Sequence, residues 1–103
     1  MIPVVAAELH DLADVWHLET GHLSSPDKIA AHPAYRKIIE LGRQDREAVL
    51  RFILSDLQTR GGFWFDALRE LTGESPVPVE HRGKMRLVKE DWLRWAREHT
   101  YLG

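Results

Sequence analysis

The stretch that decides the fold is Asp45–Gly73, DREAVLRFILSDLQTRGGFWFDALRELTG. Its apolar residues recur at i, i+1, i+4, i+5 and i+8, once before Gly61-Gly62 and once after it. This spacing places each set on one face of an α-helix, so it predicts two consecutive amphipathic helices. The two apolar stripes are Val49, Leu50, Ile53, Leu54 and Leu57, and then Phe63, Trp64, Ala67, Leu68 and Leu71.

The ends of these two helices carry recognisable start and stop signals. Asp45 is placed to accept a hydrogen bond from the first turn of the first helix. Arg60-Gly61-Gly62 should break that helix, and Gly73 should close the second in a left-handed conformation. Two amphipathic helices joined by so short a turn predict an antiparallel hairpin whose apolar faces meet.

Segments before the hairpin predict further helices. Val5–Trp16 has helical spacing, and Gly21 should end that helix. Ser25-Pro26 provides a capping residue followed by a proline suited to a first helical position. Pro33 opens another short helix, which we expect Gly42 to end.

Segments after the hairpin predict a loop and a last helix. Prolines cannot continue a helix, so Glu74–Val79, which contains two of them, is expected to be extended. The final helix follows Gly83 and carries its apolar side chains on one side; these are Met85, Val88, Trp92, Trp95 and Ala96. The sequence therefore predicts an all-α protein of about five helices, with residues 1–103 forming a single domain.

Composition limits the classes of function. The chain has 103 residues, of which 44% are hydrophobic and 29% charged, as in an ordinary folded domain. Fourteen basic and sixteen acidic residues give a net charge of −2, which disfavours nucleic acid or an anionic membrane as the main partner. The sequence has no cysteine and no apolar run near the ~20 residues of a membrane span. Met1–Val5 lacks the basic flank of a secretory signal, so we expect a cytoplasmic protein.

Two resemblances rest on these segments. Glu47–Gly73 resembles one HEAT-type helical repeat, and Pro76–Trp95 resembles the proline loop and Trp-x-x-Trp helix that often follow such repeats. Most of the chain also resembles a family of small bacterial helical proteins without a settled activity, in which an aromatic residue often stands in place of Asp66. The matching pieces are Trp16 with Glu19-Thr20, Leu23-Ser24-Ser25, His32-Pro33-Ala34-Tyr35, Ile38-Ile39 before Gly42, Trp64-Phe65, Ala67-Leu68, Thr72-Gly73, Pro76-Val77-Pro78, Gly83, and Trp92-Leu93-x-Trp95.

The resemblance implies a function as well as an arrangement of helices. HEAT-type folds are mostly protein-binding scaffolds, because stacked helix pairs present a broad, stiff surface. We therefore expect antiparallel helical hairpins in a HEAT-like arrangement and a non-catalytic protein-interaction module without a cofactor. The partner would be another protein, as in the neutralising or adaptor half of a bacterial two-gene, toxin–antitoxin-like system. The alternative is a small nucleic-acid-binding regulator.

One patch is the candidate partner surface. On the second hairpin helix, Phe65 lies about 100° from the centre of the apolar stripe. If its ring is exposed, it forms an aromatic–arginine patch with Arg69 and Arg60, residue types that are enriched at binding hot spots. The competing interpretation is that Phe65 packs under the Pro76–Pro78 loop or against the first helix. Solvent exposure of the ring distinguishes the two.

Other candidate sites have simpler explanations. His10, Asp14 and His17 share one helix face and have the side chains of a divalent-metal site, although such a face also arises by chance. His32, before a proline, is expected to cap or pack rather than act as a base, since no nucleophile is identifiable beside it. The final helix is rich in Arg and Lys, but interleaved acidic residues favour a solvated face over nucleic-acid contact.

Overall fold

The computed structural model describes residues 6–102. Within them the chain forms six α-helices and one 3-10 turn, and it forms no strand, which confirms the all-α prediction. The helices are α1 (Ala6–Thr20), α2 (Pro26–Ala30), α3 (Pro33–Gln44), α4 (Arg46–Thr59), α5 (Phe65–Thr72) and α6 (Met85–Glu98); the 3-10 turn is Val79–His81. Val5, which the pattern assigned to the first helix, lies outside the described residues.

Helix α3 lies at the centre of the fold. It packs against α1, α4 and α5, and α6 packs against α4. The Cα radius of gyration is 13.0 Å, close to the ~13 Å of a single domain of this length. The predicted stripes supply the core, and Leu54 and Leu68 are both fully buried in it.

The predicted caps are largely confirmed. The Asp45 carboxylate accepts a hydrogen bond from the Ala48 amide at 3.3 Å, and Gly73 has a φ of 70° at the end of α5. Gly61 and Gly62, with φ values of 81° and 101°, make the turn that only glycine adopts easily. Ser25 occupies the N-cap position of α2, but its side chain makes no capping hydrogen bond.

The prediction that Gly42 ends the third helix is wrong. Helix α3 continues to Gln44, and Asp45 alone joins it to α4. A Cβ on Gly42 would lie 2.7 Å from the Leu71 methyl carbons. Glycine is therefore required there because α5 packs closely against α3, and the helix ends instead where Asp45 starts the next one.

Two details of the predicted stripes also differ. Helix α5 begins at Phe65, so Phe63 lies in the preceding turn and is only half-buried. Met85, at the start of α6, is 47% exposed although the remaining residues of its stripe are buried. Phe63 follows the Gly61-Gly62 turn directly, and Met85 is the first residue of α6. Helical periodicity does not yet fix the direction of a side chain at either position.

Three aromatic rings form the middle of the core. Trp16, Tyr35 and Trp64 are each buried, with ring centroids 4.3 to 5.6 Å apart. Their polar atoms are satisfied over long sequence distances: the Trp16 indole donates to the carbonyl of Ile29 at 3.0 Å. The Tyr35 hydroxyl accepts from the Ala67 amide at 2.9 Å, in the first turn of α5, where the N-cap Trp64 offers no side-chain cap. Burial raises the pKa of the Tyr35 hydroxyl, so this group stays neutral.

The end of the described chain folds back onto α6. The Tyr101 ring stacks on Trp95 with 5.6 Å between centroids, and its amide donates to the carbonyl of Ala96 at 2.8 Å. The Arg51 guanidinium lies over the Tyr101 ring, 5.5 Å from its centroid. Tyr101 thus returns to the body of the protein. None of the helices within residues 6–102 combines the length and apolarity needed to cross a bilayer.

Candidate partner-binding site

Phe65 is not the exposed ring that the predicted patch requires. It is 5% exposed, and its ring meets Phe63 edge-on, with centroids 5.3 Å apart. It lines a surface cavity together with Val77 of the proline loop. The ring is therefore buried against neighbouring side chains and is not free to present an aromatic face to a partner.

The two predicted arginines do not form a patch with it. Arg60 turns toward α1 and donates to Asp56 Oδ1 and Asp14 Oδ1, each at 2.7 Å. Arg69 is exposed and pairs with Asp66 on its own helix. Arg60 and Arg69 therefore belong to different surroundings, and only Arg69 lies beside Phe65, in the lining of the same cavity.

The structure instead presents a groove between the start of α5 and the start of α6. It consists of two adjoining cavities of about 370 Å³ each. Phe63, Phe65 and Met85 line both cavities, and Val77, Val88 and Trp92 line the first. We call this surface the α5–α6 groove. Its floor is apolar; Met85 is exposed there, and Phe63 and Val77 are half-buried.

The rim of the α5–α6 groove is basic. Arg69 and Arg82 line the first cavity, and Arg86 and Lys89 line the second. No Asp or Glu belongs to the lining of either cavity in the part of the chain that the structure describes. Arg86 pairs with Glu90, one turn further along α6, at 3.2 Å. Arg82 and Lys89 form no ion pair with any of residues 6–102. The groove therefore offers apolar burial beside four cationic side chains, two of which, Arg69 and Arg86, already pair with a carboxylate on their own helix.

Glycine turns line both cavities of this groove. Gly61 and Gly62 form the turn at one end, and a Cβ on Gly61 would lie 4.0 Å from Lys89 Nζ. Gly83 has a φ of 79° and lies just before α6. These turns bring Phe63 and Met85, from two separate helix starts, to the same depression.

A buried carboxylate on α4 lies outside the groove. Asp56 is 5% exposed and binds three donors: His17 Nε2 at 2.7 Å, Arg60 Nε at 2.7 Å and Trp64 Nε1 at 3.0 Å. We call this set the Asp56 cluster. Burial acts to raise the pKa of Asp56, but the three hydrogen bonds outweigh it and hold the pKa below its usual range. Because all three hydrogen bonds to Asp56 come from within the protein, this carboxylate links α1, α4 and the start of α5.

Sequence interpretation missed the Asp56 cluster. The available signal was that Asp56 lies three residues after Ile53 and seven after Val49, beside the apolar stripe and not on the opposite face. An acidic residue at such a position requires a buried partner. The identity of that partner, His17, could not be read locally because it lies 39 positions away.

The three residues considered for a metal have other contacts. His17 binds Asp56, Asp14 binds Arg60, and the His10 ring packs edge-on against Phe52 with 4.9 Å between centroids. Residues 6–102 contain no group of three or more His, Cys, Asp or Glu side chains arranged to hold a metal ion.

The other predicted polar residues have structural contacts. His32 Nδ1 accepts from the Ala34 amide at 3.0 Å, and its Nε2 lies 2.7 Å from Glu19, so the predicted capping role is confirmed. A second buried carboxylate, Asp91, is 2% exposed. Its neighbours are His81 Nδ1 at 2.6 Å and the guanidinium of Arg94 at 3.3 Å; we call these three residues the Asp91 cluster.

Comparisons with known proteins return no significant match: no family model, no curated protein and no solved structure is similar to this chain. The resemblances to a HEAT-type repeat and to a bacterial protein family accordingly remain predictions.

Proposed function

We propose that this protein is a non-catalytic protein-interaction module whose recognition surface is the α5–α6 groove. The observation that carries the proposal is an apolar floor with a rim of four cationic side chains and, within residues 6–102, no lining carboxylate. Its partner would be a segment of another protein that inserts an apolar side chain between Phe63 and Met85. Acidic residues beside that side chain would meet Arg69, Arg82, Arg86 and Lys89.

The physical argument has two parts. Burying an apolar anchor against Met85 and Phe63 supplies free energy at about 25 cal/mol per Å² of apolar surface removed from water. The basic rim should increase specificity for an acidic partner and the rate of association more than it increases affinity, because charges at a rim remain largely solvated. A short helical or extended segment can satisfy both requirements, as in helix-in-groove recognition.

A chemical role receives less support from the same residues. The two buried aspartates each bind a histidine and an arginine, and these contacts satisfy them within the fold. Neither Asp56 nor Asp91 lines the α5–α6 groove. Among the residues that the structure describes, the groove lining contains one hydroxyl, that of Ser75, and no histidine or carboxylate to activate it.

The alternative function is a small nucleic-acid-binding regulator, which the four rim cations favour. Stacking on a base, however, requires an exposed aromatic face. Trp92 and Phe65 are at most 5% exposed, which leaves Phe63 as the partly exposed ring of the groove. The overall charge of −2 also gives no long-range attraction to a polyanion.

A peptide titration separates these functions. The probe is a helical peptide with one central leucine flanked by glutamates, added to the isotopically labelled full-length chain. We expect amide shifts at Gly83, Met85 and Phe63, and no shift with the same peptide carrying lysines in place of the glutamates. Met85→Glu should abolish the response, whereas Val79→Glu, at a 69% exposed apolar position outside the groove lining, should retain it.

The contrary results are equally defined. If the lysine peptide binds as well as the glutamate peptide, the basic rim has no role in recognition. A salt-sensitive response to single-stranded DNA at the groove, with none to either peptide, would favour the regulator. The two-gene arrangement that the resemblance implies is a further proposal, tested by measuring whether the product of the adjacent gene binds and protects this same groove.

A further inference from the structure

The outer face of α1 has the opposite character to the α5–α6 groove. Leu18 is 82% exposed and Val15 is 43% exposed, which makes them two of the four large apolar side chains exposed among the described residues. They lie three positions apart on a helix, so they form one apolar strip on its surface. The remaining residues of α1 leave this strip uncovered.

Negative charge surrounds this strip. Asp11, Asp14, Val15 and Leu18 stand at i, i+3, i+4 and i+7, and all four are exposed. Helix α1 carries four carboxylates and no Lys or Arg. Asp14 and Glu19 already pair with Arg60 and His32, whereas Glu8 and Asp11 form no ion pair with any of residues 6–102.

We propose that the α5–α6 groove binds the outer face of α1 from a second copy of this chain, with Leu18 inserted beside Met85. This inference rests on the proposed function, because it names the occupant of the same groove. The α1 face has the chemistry that the groove requires: an apolar anchor on a helix, flanked by carboxylates. Arg86 and Lys89 of one copy face Asp11 and Glu8 of the next.

Within one copy the two surfaces remain separate. Leu18 and Val15 do not line the groove, and the exposure of Leu18 shows that no other described part of the chain covers it. Because the two contacting surfaces differ, the interface is heterologous. Successive copies therefore join head to tail and build an open chain or a closed ring, according to the rotation between them.

The test is the oligomeric state of full-length protein as its concentration rises. By sedimentation velocity, we expect the weight-average mass to increase with concentration at low salt and to fall back at ~0.5 M salt, where the Debye length is about 4 Å. Leu18→Glu and Met85→Glu should each remain monomeric. Val79→Glu, which also replaces an exposed apolar residue, should associate like the wild type.

Mixing the two variants gives the decisive result. Leu18→Glu keeps an intact groove and Met85→Glu keeps an intact α1 face, so an equimolar mixture should form a dimer with one copy of each and nothing larger. Restoration also shows that both variants are folded. A wild type that stays monomeric, a mixture that stays monomeric, or equal loss in Val79→Glu would each overturn the inference.

This experiment also separates the inference from the proposed function. If Leu18→Glu binds the glutamate-flanked leucine peptide while the wild type stays monomeric, a second copy is not the occupant and the proposed function stands. If Leu18→Glu does not bind the peptide while the wild type associates through Leu18 and Met85, the second copy is confirmed as the groove's occupant. The groove is then a protein-binding surface specific for a second copy, and only the part of the proposed function that names a segment of another protein fails.

Discussion

The Asp56 and Asp91 clusters share an aspartate, a histidine and an arginine, but the residues they connect lie at very different separations along the chain. Each contains a buried aspartate that binds a histidine and an arginine. Asp56 reaches a histidine 39 residues away on α1, and Asp91 reaches one only 10 residues away, in the 3-10 turn. The first cluster therefore holds separate helices together, and the second fixes α6 to the segment that precedes it.

The neighbouring tryptophans show the same contrast. The Trp64 indole donates to Asp56, so its polar atom belongs to the cluster. The Trp95 indole nitrogen is buried and has no hydrogen-bond partner among the described residues, although its ring stacks on His99 and Tyr101. One tryptophan is thus fixed by a hydrogen bond to a charge, and the other by ring contacts. Residues of the same type therefore contribute differently to the stability of the fold, depending on which parts of the chain they connect.

The largest effect should come from removing the Asp91 cluster altogether. A chain ending at Pro78 lacks α6 and therefore the buried residues Val88, Trp92, Trp95 and Ala96, which cover α4. We expect it to lose cooperative thermal unfolding or to aggregate, because the exposed α4 surface is apolar. Cooperative melting at the full-length temperature would show that α6 is an appendage to a core that is complete without it.

Single substitutions should rank the two carboxylates. Asp56→Ala leaves His17, Arg60 and Trp64 without their shared acceptor, and we expect a loss of about 3–5 kcal/mol in the free energy of unfolding. Asp91→Ala should cost about 1–3 kcal/mol, since its partners are nearer to solvent and local in sequence. Urea unfolding of both variants measures the difference. Equal losses would show that the span of the contacts does not decide their contribution.

A matched pair of tryptophan variants isolates the indole hydrogen bond. Trp64→Phe and Trp95→Phe both replace a buried indole by a smaller ring, but Trp64→Phe also removes the N–H that donates to the Asp56 carboxylate. We expect Trp64→Phe to be more destabilising by about 1.5–3 kcal/mol. If Trp95→Phe costs as much or more in the same urea melts, ring size and not the hydrogen bond governs both sites.

Acid sensitivity should show the smallest difference. The pKa of Asp56 is lower in the folded protein than in the unfolded chain, so its ionised form stabilises the fold above the unfolded pKa of about 3.9. That contribution is lost as the pH falls through the still lower folded pKa, when the carboxyl becomes protonated. Stability measured against pH should therefore fall more steeply in acid for the wild type than for Asp56→Asn. Parallel curves for the two proteins would contradict the assigned pKa direction.

The sequence determined the local structure of this protein through interactions between near neighbours. Helical spacing in Asp45–Gly73 and the cap at Asp45 act over a few residues, so the stripes, the Gly61-Gly62 turn and the buried Leu54 and Leu68 could all be predicted. The all-α fold followed from the same periodicity. The capping role of His32 was also local, since its acceptor contact is two residues away.

Only the tertiary structure decided the features that depend on distant residues. Gly42 looked like a helix end, but α3 continues because Leu71 needs the space where a Cβ would lie. The sequence left Phe65 open between a buried and an exposed ring, and the folded protein buries it. Asp56 lay beside the apolar stripe, but its partner His17 is brought to it only by the packing of α1. The α5–α6 groove arises in the same way, because periodicity orients side chains around one helix and only packing sets two helix starts side by side.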